Sequence, residues 1–274
     1  MPDLPLDEQV RHRVENQVAW ITLNRPEVHN AITPDQRNRV IDLLDEASAA
    51  PEVRAVVLTA TGRGFCTGAD LRASRPSPPR PTGAPDRMVW AGARAIRNGS
   101  QRLIAAVLDC EKPVVAAVNG TAAGLGAHLA LACDLVVTVE EARFIEVFVR
   151  RGIAPDGGGA YLLPRLVGLH RAKELVFLGE DLSARAAERI GLVNRVVPAD
   201  QLEAAAKELA EQLASGPTAA ITAAKWLLNR SLDSERRAAF DDEAVAQELV
   251  AGSLDAQEGM QAFADRRPPT FRGW

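Results

Sequence analysis

Short apolar runs alternate with longer helical patterns through the first two thirds of the chain, and no other feature constrains the fold as strongly. The runs Val18–Leu23 (VAWITL), 55–59 (AVVLT), Val114–Val118 (VVAAV) and Leu135–Val139 (LVVTV) are bounded by Asn, Gly, Pro or Asp. Being apolar at nearly every position, they suit strands covered on both faces, so an α/β layered fold is expected. Between the first two, Thr33-Pro34-Asp35-Gln36 reads as a helix start, with Thr33 as N-cap, Pro34 in the first helical position and Gln36 as the reciprocal capping partner. A helix to about Ala49 follows.

After Pro198 the strand-like runs give way to Ala, Glu, Leu, Gln and Arg, which predicts helices over 199–215, 218–229, 233–251 and 254–267, divided by Gly216-Pro217, Ser231 and Gly252. The expected division is a core over 1–198 that holds the active site and a helical region over 199–274. Such a region is either a cap on its own core or an arm packed on another subunit. The proline-rich stretch 74–85 (SRPSPPRPTGAP) is expected to be a mobile loop or flap.

The 274 residues suffice for a sizeable core, and 47% hydrophobic with 25% charged residues excludes a disordered, collagenous or coiled-coil chain. With 32 basic against 36 acidic side chains, the formal charge of −4 offers no global field for nucleic acid or an anionic membrane. No apolar run approaches the roughly 20 residues of a membrane span, and the start MPDLPLDEQV has no apolar signal region. A soluble cytoplasmic protein is expected. Cys66, Cys110 and Cys133 form no Cys-x-x-Cys pair, so neither a metal site nor a disulfide framework is expected, and the cysteines are read as small core residues.

Three glycine-containing turns are places where backbone can approach a ligand. They are 61–71 (TGRGFCTGADL), 119–128 (NGTAAGLGAH) and 152–159 (GIAPDGGG). The second precedes an Ala/Leu-rich helix, whose free N–H groups and positive dipole end make an anion or oxyanion site. His128 lies three residues after Leu125 and four after Gly124, on the same helical face as that mouth. It is either a core histidine bonded to a carbonyl or a proton-transfer group. Glycines at 120, 124 and 126 do not match the dinucleotide-binding spacing. No serine sits in a Gly-x-Ser-x-Gly context either. His12 and His170 are expected on solvated faces, and Tyr161 either in the pocket or in the core.

Taken in order, NRPEVHNA (24–31), GFCTGADL (64–71), KPVVAAVNGTAAGLGAHLALACDLV (112–136), GIAPDGGGAYLLPRLVG (152–168), GLVNRVVP (191–198) and EGMQAFADRRPPTFRG (258–273) resemble the crotonase superfamily, the enoyl-CoA hydratase/isomerase family. The resemblance implies a ββα spiral core with a helical C-terminal trimerisation region, assembly as a homotrimer or dimer of trimers, and an acyl-CoA thioester substrate. Coenzyme A would enter as part of the substrate, with no separate cofactor or metal. It implies that the backbone N–H groups of Ala69 and Leu125 hold the thioester oxygen as an enolate develops. It also places Arg25, His29, Ala31, Gly68, Asp70, Leu71, Gly124, Phe148 and Phe263 at substrate- or CoA-binding positions, with Arg266 or Arg267 beside Phe263.

The chain departs from the hydratase pattern, in which two glutamates share the attacking water. Those positions are His128 and Phe148. Glu146 would share a face with Phe148 if 144–149 were extended. Some isomerases of the superfamily carry an acid/base aspartate in the third turn, and Asp156 matches that arrangement. A free Asp ionises near pH ~3.9, and an apolar pocket would raise it toward a useful range. Asp156 is otherwise a helix cap or a turn residue. The expected activity is enoyl-CoA double-bond isomerisation with Asp156 as acid/base. The alternatives are an enoyl-CoA hydratase or acyl-CoA hydrolase in which His128 positions water, and a non-catalytic CoA-binding protein.

Overall fold

The computed structural model describes residues 4–73, 81–85 and 89–274. Ten strands are present among them: β1 (Val10–Glu15), β2 (Val18–Leu23), β3 (Ala55–Ala60), β4 (Gly64–Cys66), β5 (Val114–Val118), β6 (Thr121–Ala123), β7 (Leu135–Val139), β8 (Arg143–Ile145), β9 (Asp181–Ser183) and β10 (Arg195–Val197). They form a six-stranded sheet in the order β1-β2-β3-β5-β7-β10 and a four-stranded sheet in the order β4-β6-β8-β9. β1 and β2 pair antiparallel through a turn at Asn16 and Gln17, while the other ladders of the large sheet are parallel. In the small sheet β4, β6 and β8 run parallel, and β9 pairs antiparallel with β8.

The chain therefore steps from a large-sheet strand to a short small-sheet strand, β3 to β4, β5 to β6 and β7 to β8, advancing along both sheets in the same order. After β6 it enters the helix Leu125–Leu131, which closes one ββα turn of a spiral. Parallel neighbours need such crossovers, since a tight hairpin can join only antiparallel strands. Val56, Val57, Leu58 and all of β5 are buried, as expected of strands covered on both faces.

The helix Pro34–Ala49 starts at the Thr33 cap, with Gln36 N–H donating to Thr33 Oγ1 at 3.2 Å and Thr33 N–H donating to Gln36 Oε1 at 2.9 Å. Such a cap contributes about 1 kcal/mol. Its buried face carries Val40, Ile41, Leu43 and Leu44, and each of these large side chains gains about 2 kcal/mol from burial.

Of the C-terminal helices, Leu202–Ala214 packs on β3, β5 and β7, with Ala205, Ala206, Ala210 and Ala214 in the core. Small side chains let that helix lie close to the sheet. Thr218–Ser231 is tied down by Lys225, whose Nζ lies 2.8 Å from Asp134 Oδ2 and donates to the carbonyls of Val107 and Lys112. Arg236–Ala251 and Leu254–Asp265 follow. The chain end folds back, with Arg272 and Gly273 N–H groups donating to Asp255. No helix among the described residues is long and apolar enough to cross a membrane. The three cysteines are buried and unbonded to one another. Of the proline-rich stretch, 74–80 lies outside the described residues.

Candidate active site

The first turn leaves β4 through Gly68, whose φ of 98° lies in the region that glycine adopts without strain. Ile32 N–H donates to Gly68 O at 2.8 Å and Asp70 N–H donates to Ile32 O at 2.9 Å. This is a single parallel bridge between Ile32 and Ala69. The bridge uses the groups flanking Ala69, so the N–H of Ala69 itself points away from Ile32.

The second turn brings Gly124, with φ of 53°, to the mouth of the helix Leu125–Leu131. Gly124 N–H donates to Ile145 O at 2.9 Å, which leaves Leu125 as the first N–H of the helix itself. A Cβ on Gly68 would lie 3.1 Å from Ala123 O and 3.5 Å from Leu125 N, and one on Gly126 would lie 2.0 Å from Cys66 O. Glycine at 68 and 126 is what allows the two turns to touch backbone to backbone. Among the described residues, neither Ala69 N–H nor Leu125 N–H has a hydrogen-bond acceptor. An anionic oxygen is the natural complement of two such free donors.

The third turn closes over the same helix. A Cβ on Gly157 would lie 2.7 Å from Leu125 Cδ1 and 3.7 Å from His128 Nδ1, and one on Gly159 would lie 2.1 Å from His128 Nε2. His128 is fully buried, with its Nε2 2.9 Å from Glu146 Oε2. Phe148 stacks on the imidazole with ring centres 5.3 Å apart and planes inclined by 14°. His128 is thus a buried histidine bonded to a carboxylate rather than to a carbonyl. Nδ1 has no partner among the described residues and no contact with solvent.

The 144–149 segment is not extended. The strand ends at Ile145, and Phe148 has helical φ and ψ of −59° and −50° at the start of a short 3₁₀ turn. Glu146 and Phe148 both turn toward His128 from this bend. Asp156 is half-buried just before Gly157, and its carbonyl accepts from Gly159 N–H at 3.3 Å. It is not the N-cap of the helix Gly159–Val167, a place taken by Gly158.

Around Ala69, Arg25 Nη1 donates to Asp70 Oδ2 at 3.2 Å and to Ala31 O at 3.3 Å. His29 adopts a left-handed conformation and its carbonyl accepts from Thr67 N–H at 3.2 Å. Arg25, His29, Ala31 and Asp70 are therefore gathered beside the first turn, and Leu71 stands exposed next to them. Burial pushes the Asp70 carboxyl up. The Arg72 N–H, the Arg25 guanidinium and the Ala73 N–H outweigh that and hold it below the usual carboxylate value. Phe263 is not part of this gathering: it is 84% exposed on Leu254–Asp265, a helix that packs on Arg236–Ala251. Arg267 pairs with Glu258. Tyr161 donates its hydroxyl to Asp233 at 2.8 Å, which ties the helix after the third turn to the C-terminal region.

A family model described as enoyl-CoA hydratase/isomerase matches residues 13–273. The chain belongs to the enoyl-CoA hydratase/isomerase family. Among its relatives in this family is the 1,2-epoxyphenylacetyl-CoA isomerase of Escherichia coli K12, 36% identical over 97% of this chain and 99% of that one. Another is the 2,3-dehydroadipyl-CoA hydratase of the same organism, 34% identical over 94% of this chain and 96% of that one. The crystal structure of an enoyl-CoA hydratase from Bacillus anthracis superposes with a TM-score of 0.86 at 32% identity, covering 97% of this chain and 100% of that chain. The spiral of ββα turns is accordingly the crotonase fold of the enoyl-CoA hydratase/isomerase family. Its relatives carry hydratase and isomerase names alike.

Sequence reasoning missed the pairing of Glu146 with His128. The residues lie 18 positions apart on different elements. The available signal was a lone Glu inside the apolar stretch FIEVFV (144–149), where burial demands a partner.

Proposed function

We propose that this protein processes an acyl-CoA thioester by enolate chemistry, and that the reaction is a double-bond shift in an enoyl-CoA. One observation carries the reading: the turns of Gly68-Ala69 and Gly124-Leu125 meet backbone to backbone and leave two N–H groups without acceptors among the described residues. A thioester oxygen held by both becomes more negative as the α-proton leaves, so the donors bind the transition state more tightly than the ground state. Losing one such donor costs roughly 3–4 kcal/mol.

Asp156 supplies the base. Its carboxylate takes a proton from one end of the three-carbon unit, the electron pair passes into the thioester enolate, and the same carboxyl returns the proton at the other end. Nothing is added to the substrate, so one acid/base group suffices. Phe148 cannot move a proton, which argues against the two-carboxylate hydration of other members. Arg25, His29, Ala31, Asp70 and Leu71 would contact the CoA portion. The apolar Leu228, Phe240, Leu249 and Met260 exposed on the C-terminal helices support assembly as a homotrimer or dimer of trimers.

Replacing Asp156 with Ala tests the assignment. Turnover of a 3-enoyl-CoA is expected to fall at least about a hundredfold, with CoA binding nearly unchanged. Unchanged turnover removes Asp156 from the mechanism, and efficient hydration of crotonyl-CoA that depends on His128 replaces the isomerase reading.

A further inference from the structure

We propose that Glu146 is a positioning residue that acts through His128 to seat the turn carrying Asp156 against the helix mouth; this rests on Asp156 being the group that moves the proton. The 2.9 Å contact between Glu146 Oε2 and His128 Nε2 needs a proton between the two atoms, and an Nε2–H donating to the carboxylate oxygen of Glu146 supplies it. Nδ1 then carries a lone pair, and it is the Nδ1 atom that has no partner among the described residues. The other tautomer would set two acceptors against each other across 2.9 Å and bury an unsatisfied N–H, which is the costlier arrangement.

The fixed imidazole forms a wall between two parts of the site. Phe148 covers one face. The Gly159 backbone is pressed on the Nε2 and Cε1 edge, where a Cβ would come within 2.1 and 2.2 Å. Gly157 lies against Leu125 Cδ1 and faces Nδ1. Leu125, which supplies one of the free N–H groups, and His128 are on the same helix, so the ring couples the oxygen-holding turn to the Asp156 turn. The Glu146 bond opposes rotation of that ring about χ2. Without it the ring that packs against Gly157 and Gly159 can turn, and the glycine turn that follows Asp156 shifts with it.

The test uses the full chain with Glu146→Ala and Glu146→Gln, each alone and together with Asp156→Asn. Steady-state isomerisation of a 3-enoyl-CoA and the ¹⁵N signals of His128 are measured. Glu146→Ala is expected to lower kcat about ten- to a hundredfold, the scale of a misplaced catalytic group, while KM moves less than about twofold. Glu146→Gln keeps an acceptor oxygen, retains the Nε2–H signature and recovers most of the loss. In the Asp156→Asn background, Glu146→Ala is expected to cause no further drop. If Glu146→Ala leaves kcat unchanged, or costs the same factor with and without Asp156, while Asp156→Asn alone lowers turnover at least about a hundredfold to a measurable residual rate, the positioning role is overturned and the enolate reading stands. If Asp156→Asn keeps full turnover, both fall. Should Glu146→Ala not fold, a Glu146→Gln protein whose His128 has moved its proton to Nδ1 with kcat intact also overturns it.

Discussion

Gly68 lies against the first peptide of the helix that Leu125 opens, so closely that a Cβ would stand 3.5 Å from Leu125 N and 3.1 Å from Ala123 O. With φ at 98° the residue is also held where other side chains are strained. Gly68→Ala is expected to cost about 1–3 kcal/mol of stability. By displacing Ala69 N–H it should also lower kcat on the order of a hundredfold. Denaturant unfolding and steady-state kinetics on one preparation check both; full kcat in a stable Gly68→Ala protein contradicts the arrangement.

Gly126 faces backbone rather than a side chain that could move aside. A Cβ there would meet Cys66 O at 2.0 Å, whereas one on Gly252 would find nothing nearer than 3.9 Å. Gly126→Ala is therefore expected to lose more than about 3 kcal/mol, and Gly252→Ala to stay within about 0.5 kcal/mol of the parent. Urea midpoints compare the two.

Asp70 links the first turn to Arg25, and its carboxyl is held below the ordinary value. A group whose pKa is lower folded than unfolded contributes stability above its unfolded pKa, and that stability is lost as pH falls through the folded one. Asp70→Asn is expected to destabilise the protein at pH 7 by about 2 kcal/mol, the scale of a hydrogen bond to a charged group. The gap to the parent should close as pH drops below about 4. Thermal unfolding of both proteins from pH 7 to pH 3 reads this directly.

Burial pushes the Cys66 thiol up to about 12 and raises Cys133 as well, with Asp134 adding to the effect. Thiolates are the reactive species. Native protein is expected to be nearly inert to a disulfide reagent at pH 8, with all three buried cysteines reacting after unfolding. Rapid labelling of the native protein would contradict this burial.

What the sequence disclosed depended on how local the cause was. The Thr33–Gln36 cap needs only residues three apart, and β2, β5 and β7 are continuous apolar runs; their observed ends match the expected ones. The four C-terminal helices were legible to within about three residues, because Gly216-Pro217 and Gly252 punctuate them, while the left-handed Arg266 that ends the last one two residues early gave no sequence signal. β4, β6 and β8 are three residues each, too short to show a period, and become strands only by pairing with one another. The helices Ala91–Ile96 and Arg102–Asp109, joined through the π-helical turn Arg97–Gln101, were not anticipated. At the site, the glycines at 68, 124 and 126 could be read as points of close approach. Which turns meet, and the bend that brings Glu146 rather than an extended face to His128, are decided by tertiary packing.

The most direct measurement is exchange of the α-protons of saturated acyl-CoA thioesters with deuterated water, followed by mass or NMR. Polarisation of the carbonyl by the Ala69 and Leu125 N–H groups should make those protons exchange in the parent protein and cease to exchange in Asp156→Ala, with CoA still bound by both. Tight CoA binding without exchange on any thioester would contradict an enolate-forming site and leave a binding protein in its place.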